Sequence, residues 1–246
     1  IIVHLTQGHV AFGEFVTMLG AAFAMVASFF AAAAVILRFA RLPFRSFVSP
    51  LSLNNVGSIG IPAAALAIGP GGTSYAFAFL VVVLLGIFTY GHWLPKGSVS
   101  FREIVTSPVL IAIVIALALL GTGTGLPKPA EDALGILGGL TIPLQLLILG
   151  HSLALLGIGA LRRGGMLAVA HLAVSIVIGF GLAALFGFTG LERQIFLLMS
   201  IMPVSAVTYI FVEIYDPDHA PEVASLILVS TLLTVVSLPL VIAYGF

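Results

Sequence analysis

Runs of about 20 apolar residues recur along almost the whole 246-residue chain, and they constrain it more than any other feature. That is the length an α-helix needs to cross roughly 30 Å of hydrocarbon. Each run is continuously apolar rather than alternating, which argues for helices and against barrel strands, since a span must satisfy its own backbone hydrogen bonds. Only 7% of residues are charged, against roughly 25% in a soluble domain, so the chain cannot coat a water-soluble surface of this size. The expected class is an all-α integral membrane protein, with the lipid bilayer as its principal partner.

Charge and composition exclude several functions. Nine Lys and Arg cancel nine Asp and Glu, leaving no basic face to neutralise a nucleic-acid backbone, so nucleic acid is not an expected partner. Cysteine is absent, which removes disulfide frameworks and thiolate metal sites. No metal-spaced histidine pair, Walker lysine or Gly-x-Ser-x-Gly elbow is present, and the reading is of a non-enzyme with no cofactor and no metal. Gly121-Thr122-Gly123-Thr124-Gly125 mimics a nucleotide loop, but no strand precedes it and Leu126-Pro127 follows, so it reads as an external turn.

Dividing the apolar runs at charged or Gly/Pro-rich breaks predicts eight helices, A to H, over roughly 17–37, 51–68, 74–94, 106–121, 136–157, 165–187, 191–212 and 222–244. Arg38, Arg41, Arg45, Lys96, Arg102, Arg162 and Arg163 fall in the A/B, C/D and E/F links, and only Lys128 and Arg193 fall on the other side. By the positive-inside rule the former links are cytoplasmic and the C-terminus is outside, in a cell (inner or plasma) membrane. The G/H link, with Asp216, Asp218 and Glu222, lands inside without basic support.

Two proline motifs recur at equivalent places. Span B carries Asn54-Asn55-Val56-Gly57-Ser58-Ile59-Gly60-Ile61-Pro62 and span G carries Met202-Pro203-Val204-Ser205-Ala206, each followed by a short polar link and one uninterrupted span. A, B, C therefore look like F, G, H, displaced by roughly 140 to 150 residues. An odd-numbered unit repeats with inverted topology, an architecture whose substrate sites form between broken helices at the midplane. The expected organisation is an incomplete first repeat over 1–94, a cytoplasmic link over 95–105 and a complete second repeat over 106–246. The start, Ile1-Ile2-Val3-His4-Leu5, reads as lying inside an element, so that N-terminal spans are expected to be missing.

Pro62 cannot donate to the Ser58 carbonyl, nor Pro203 to that of Met199, so each is expected to free a carbonyl and bend its helix, with Gly57 and Gly60 loosening span B further. Where a half-helix begins, its N–H groups and positive dipole end favour an anion, for which a carboxylate is a natural guest. The candidate substrate site takes in Asn54, Asn55, Gly57, Gly60, Pro62, Gln145, Pro203, Val204 and Ser205. For Asn54 and Asn55 the bland alternative is a cap at the membrane surface; for the prolines it is a packing kink; for Gln145 it is a bond between helices. No Asp or Glu lies in the centre of a span, so proton coupling falls to His151 and His171, for each of which a hydrogen bond to a neighbouring helix is the leading alternative.

On these residues the chain resembles the auxin efflux carrier family, which includes plant auxin carriers and bacterial permeases for small organic acids. Asn55 followed by Gly60-Ile61-Pro62 and Gly69 looks like that family's fourth helix. Ser107-Pro108 resembles the start of its sixth, and Met202-Pro203 through Glu213-Ile214-Tyr215, then Ala224 to Pro239, its ninth and tenth. The resemblance implies ten helices in two inverted repeats, of which A to H are the third to tenth, with the fourth and ninth crossing at their prolines beside the substrate. It places Asn55, Pro62 and Pro203 at that crossover, and implies a permease for a small organic anion such as a mono- or dicarboxylate. The rival readings are a sodium-coupled bile-acid-type symporter and a non-transporting sensor or scaffold; a homodimer is left open.

Overall fold

The computed structural model describes residues 12–99, 102, 106–122, 124–140, 144, 147 and 158–245, and those residues are helical with short links. Helix α1 is Phe12–Ala40 and α2 is Phe44–Ser52. Helix α3, Val56–Ala67, opens with a wide turn over Val56–Gly60. Helix α4 runs from Pro70–Gly86 through a second wide turn, Ile87–Gly91, into His92–Lys96. There follow α5 (Pro108–Thr122), α6 (Lys128–Gly139), α7 (Ile158–Leu185), α8 (Gly190–Ser200), α9 (Val207–Tyr215) and α10 (Ala220–Gly245), the last entered through the single turn Pro217–His219.

Four helices among the described residues are long and apolar enough to cross a membrane: Gly13–Ala40, Gly71–Lys96, Ala160–Leu185 and Pro217–Gly245. They correspond to spans A, C, F and H. Their apolar residues lie all around the axis, which is the pattern of a helix with lipid on one side and protein on the other. In α1, Phe15, Met18, Ala22, Met25, Phe29, Ala33 and Leu37 recur at helical spacing and are buried, whereas Val16, Phe23, Val35 and Phe39 are exposed. Helix α4 is the most enclosed, with 67% of its apolar window buried.

Spans B and G are each two half-helices, and their bounds differ from those expected. B is α2 and α3, separated at Leu53-Asn54-Asn55, and it starts at Phe44 rather than at 51. G is α8 and α9, separated over residues 201–206. The described part of span E is also shifted: α6 begins at Lys128, carries the exposed pair Lys128–Asp132 at 2.8 Å and buries none of its residues.

Two apolar clusters form one body from α1 to α4 and α7 to α10. The first joins α1, α3, α4 and α8 through Met18, Phe29, Val56, Phe79 and Phe196; the second joins α1, α2, α7, α9 and α10 through Leu37, Phe47, Leu167, Val212 and Val223. Helices α7 and α10 approach so closely at Gly164 that a Cβ there would lie 2.6 Å from the Leu226 nitrogen. Helix α5 packs on α4 through Val81, Leu110 and Ile113.

The links alternate between two ends. At one, Arg163 pairs with Glu222 at 2.8 Å, the Ser46 hydroxyl donates to Asp216, and His92 meets the Tyr215 hydroxyl at 3.0 Å. At the other, the Tyr75 hydroxyl donates to Glu14 at 2.8 Å. The acidic G/H link thus shares an end with the arginine-bearing links, and Arg163 supplies the partner for Glu222 that the G/H link itself lacks.

Candidate functional site

The two interruptions meet between the two apolar clusters. Leu53, Asn54 and Asn55 leave helical geometry, as do residues 201–206, and the extended stretches pair antiparallel at Asn54 and Val204. The Asn55 N–H donates to the Pro203 carbonyl at 2.6 Å and the Ser205 N–H donates to the Leu53 carbonyl at 2.9 Å. The Val204 N–H donates to the Ser230 hydroxyl of α10 at 3.2 Å. Irregular backbone at membrane depth is tolerated only where protein or a cavity satisfies it. Here each break supplies what the other lacks.

Asn54 is 1% exposed, and its side chain holds the crossing together. Its Nδ2 donates to the carbonyls of Met199 at 3.1 Å and Ser200 at 2.8 Å, acceptors that α8 leaves free at its C-terminal end. Asn55 is partly exposed and caps α3, its Oδ1 accepting from the Ser58 N–H at 3.3 Å. The neighbouring asparagines therefore do different work: one joins the two broken helices and the other starts a half-helix beside accessible space.

Pro62 is not where helix B breaks. It is exposed in the first turn of the Ile61–Ala67 segment, seven residues beyond Asn55. Its missing N–H is absorbed by the wide turn, in which Gly60 N–H reaches back to Asn55 O at 3.1 Å and Ile61 N–H to Val56 O. The break falls upstream because the Asn54 side chain and the Asn55 N–H find partners on the second broken helix. Pro203 does lie in its break, where a residue without an N–H leaves no donor unsatisfied.

Gly60 allows the crossing to close: a Cβ there would lie 3.0 Å from Met199 Sδ and 3.3 Å from Met202 Cγ. Gly57 faces Leu80, whose Cδ1 would be 3.2 Å from an added Cβ. Val204 and Ser205 are buried in the second break. Gln145 and His151 lie outside the described residues.

His171 stands at the same crossing. It is 3% exposed, stacks on Phe29 at 5.6 Å between centroids, and its Nδ1 lies 3.2 Å from the Leu51 carbonyl. Since a carbonyl only accepts, Nδ1 carries the proton of the neutral ring. Ser230 and the Ser52–Tyr90 hydroxyl pair, at 2.8 Å, are contributors that sequence reasoning missed. The available signal was a hydroxyl in the middle of an apolar span, which needs a partner in lipid.

Helices α2 and α8 end at the crossing, and α3 and α9 begin there. Dipole ends of both signs therefore converge on one buried point, the negative ends of two half-helices and the positive ends of the other two. Among the described residues no group of three His, Cys, Asp or Glu is placed to hold a metal ion.

Comparison with known proteins bears mainly on the second half of the chain. The family model described as membrane transport protein matches residues 96–242, which include the second break and exclude the first. No curated protein matches the chain.

Proposed function

The chain belongs to the membrane transport protein family, that of the auxin efflux carriers, and from that premise we propose that it is a secondary transporter moving a small organic anion by alternating access. The observation that carries the reading is the reciprocal pairing of Asn55 N–H with Pro203 O and of Ser205 N–H with Leu53 O. It brings the first turns of α3 and α9 to one place, where their dipoles favour a carboxylate. Asn55, at the accessible edge, is assigned to the anion; Asn54, whose amide N–H groups are spent on α8, is assigned to holding the site in shape.

The proposed architecture is eight spans of a ten-span inverted repeat, with 1–94 as helices three to five, 95–105 as the cytoplasmic link and 106–246 as helices six to ten. Two broken helices that meet antiparallel, each followed by an uninterrupted helix, support it. The seven-to-two bias of basic residues supports a cytoplasmic link and an external C-terminus. Coupling is assigned to an imidazole, His151 or His171, because no carboxylate lies in the centre of a span.

The test is charge movement and labelled uptake in liposomes holding the full-length protein, with mono- and dicarboxylates offered with and without proton and sodium gradients. Saturable flux lost in Asn55→Ala and Pro203→Ala is the expected result. Folded variants that transport normally, or a wild type silent to every carboxylate, would overturn the reading in favour of a sensor or scaffold. Strict dependence on sodium would transfer it to a bile-acid-type symporter.

A further inference from the structure

The carbonyl ends of the half-helices meet at His171. Leu51, whose carbonyl accepts from Nδ1, lies in the last turn of α2, and the Met202 carbonyl facing the ring comes just after α8. Both are the negative ends of helix dipoles, where a cation is favoured. The second ring nitrogen, Nε2, is buried and makes no hydrogen bond. A buried polar atom without a partner is costly, and a native structure that retains one calls for a reason.

Charge around the ring is sparse. His171 is at the middle of α7, whose own Arg162 and Arg163 lie in its first two turns. On the elements packed against it, Glu14 and Arg38 are at opposite ends of α1, Arg45 at the start of α2, Glu192 and Arg193 at the start of α8, and Glu222 and Tyr244 near opposite ends of α10. Among the described residues none of these is hydrogen-bonded to the ring, which is fully buried and faces the Leu51 and Met202 carbonyls. Among the described residues, a proton gained at His171 would therefore be the only side-chain charge at the crossing.

We propose that His171 takes up one proton from water as an anion binds at the crossing, and that this proton is the coupled charge of the transport cycle. The inference rests on the anion-site reading given above. In the neutral state Nδ1–H donates to Leu51 and Nε2 is bare. Protonation places an N–H on Nε2, so that the ring donates toward the end of α2 and toward the second break together. It also sets a positive charge near an anion held by α3 and α9. At a separation of roughly 10 Å and an effective dielectric of about 20, that attraction corresponds to roughly tenfold in affinity.

The experiment is equilibrium binding of labelled benzoate and of pyruvate to the full-length protein in detergent at pH 8 and pH 6, where both probes stay ionised, with a pH-indicator dye reporting proton uptake. Wild type is expected to bind up to roughly tenfold more tightly at the lower pH, with net proton uptake reaching about half a proton per anion, the most that a tenfold coupling allows. His171→Gln, which keeps a donor for Leu51, is expected to bind with flat pH dependence and no proton uptake. Wild-type binding without proton uptake overturns the inference even if the variant fails to fold, as does a His171→Gln protein that retains the pH slope; the anion site survives either result. No binding of either probe at either pH overturns the anion site and the inference with it.

Discussion

The two broken helices solve one problem in different ways. In the first, three residues leave the helix; Asn55 caps α3, backbone pairing with Pro203 and Ser205 serves the freed groups, and the Asn54 side chain reaches across to two carbonyls of α8. In the second, six residues leave the helix, and repair comes from the Asn54 amide, from backbone pairing with Leu53 and Asn55 and from Ser230 on a neighbouring helix. The first contains no proline at its break, while Pro50, Pro62 and Pro239 all sit within helices. What interrupts a helix here is a better offer for its backbone groups; proline alone does not suffice.

The comparison can be broken most directly at Asn54. Asn54→Leu strands the Met199 and Ser200 carbonyls in the core, at a cost of roughly 3 kcal/mol, measurable as lost thermal stability in detergent. Ser230→Ala touches the other break and strands one N–H, so a smaller loss of about 1 to 2 kcal/mol is expected in the same assay. If Ser230→Ala proves the more damaging, the Asn54 amide is not the main tie between the two breaks. Asn55→Ala removes a cap worth about 1 kcal/mol while abolishing uptake, a mismatch that separates a substrate contact from a structural one. Pro62→Ala should change stability by less than about 1 kcal/mol, because the wide turn has already accommodated the ring; a large loss would restore Pro62 as the cause of the break.

The smallest effect lies at the end of the body, where Asp216 ties the α9–α10 link to α2. Burial opposes ionisation there, but donation from the Ser46 hydroxyl and the neighbouring His219 outweigh it, and the carboxyl titrates below its ordinary value of 3.8. A lowered carboxyl pKa stabilises the folded state above the ordinary value and loses that contribution as pH falls through the lowered one. Fluorescence of the single tryptophan, Trp93, should therefore show a small destabilisation confined to pH below about 4, absent in Asp216→Asn.

Spans A, C, F and H are legible in the sequence because lipid imposes a length and a polarity that no neighbour can override. Span A, expected over 17–37, is observed as Phe12–Ala40, the same helix with its ends extended. Asn54, Asn55, Pro203, Val204 and Ser205, which line the two breaks, are also readable, since polar groups and proline stand out against hydrocarbon. The location of the first break is not readable from local rules. It depends on carbonyls 145 and 146 residues away, and within span B the proline is the louder signal. The placement of His171 is hidden for a similar reason: an apolar helix carries no stripe to say which face meets protein, and only packing against Phe29 and Leu51 turns the imidazole inward.

The dependence of the first break on the second has a consequence for how the protein is made. Asn54 leaves the ribosome 146 residues before the Ser200 that receives its amide, an interval of roughly 7 to 30 s at ordinary elongation rates. Throughout that interval the first half-helices are in or near the membrane with the Asn54 amide and an open backbone that only later sequence can satisfy. The nascent first half therefore needs shelter, from water, from the insertion machinery or from a chaperone, until α8 and the second break arrive.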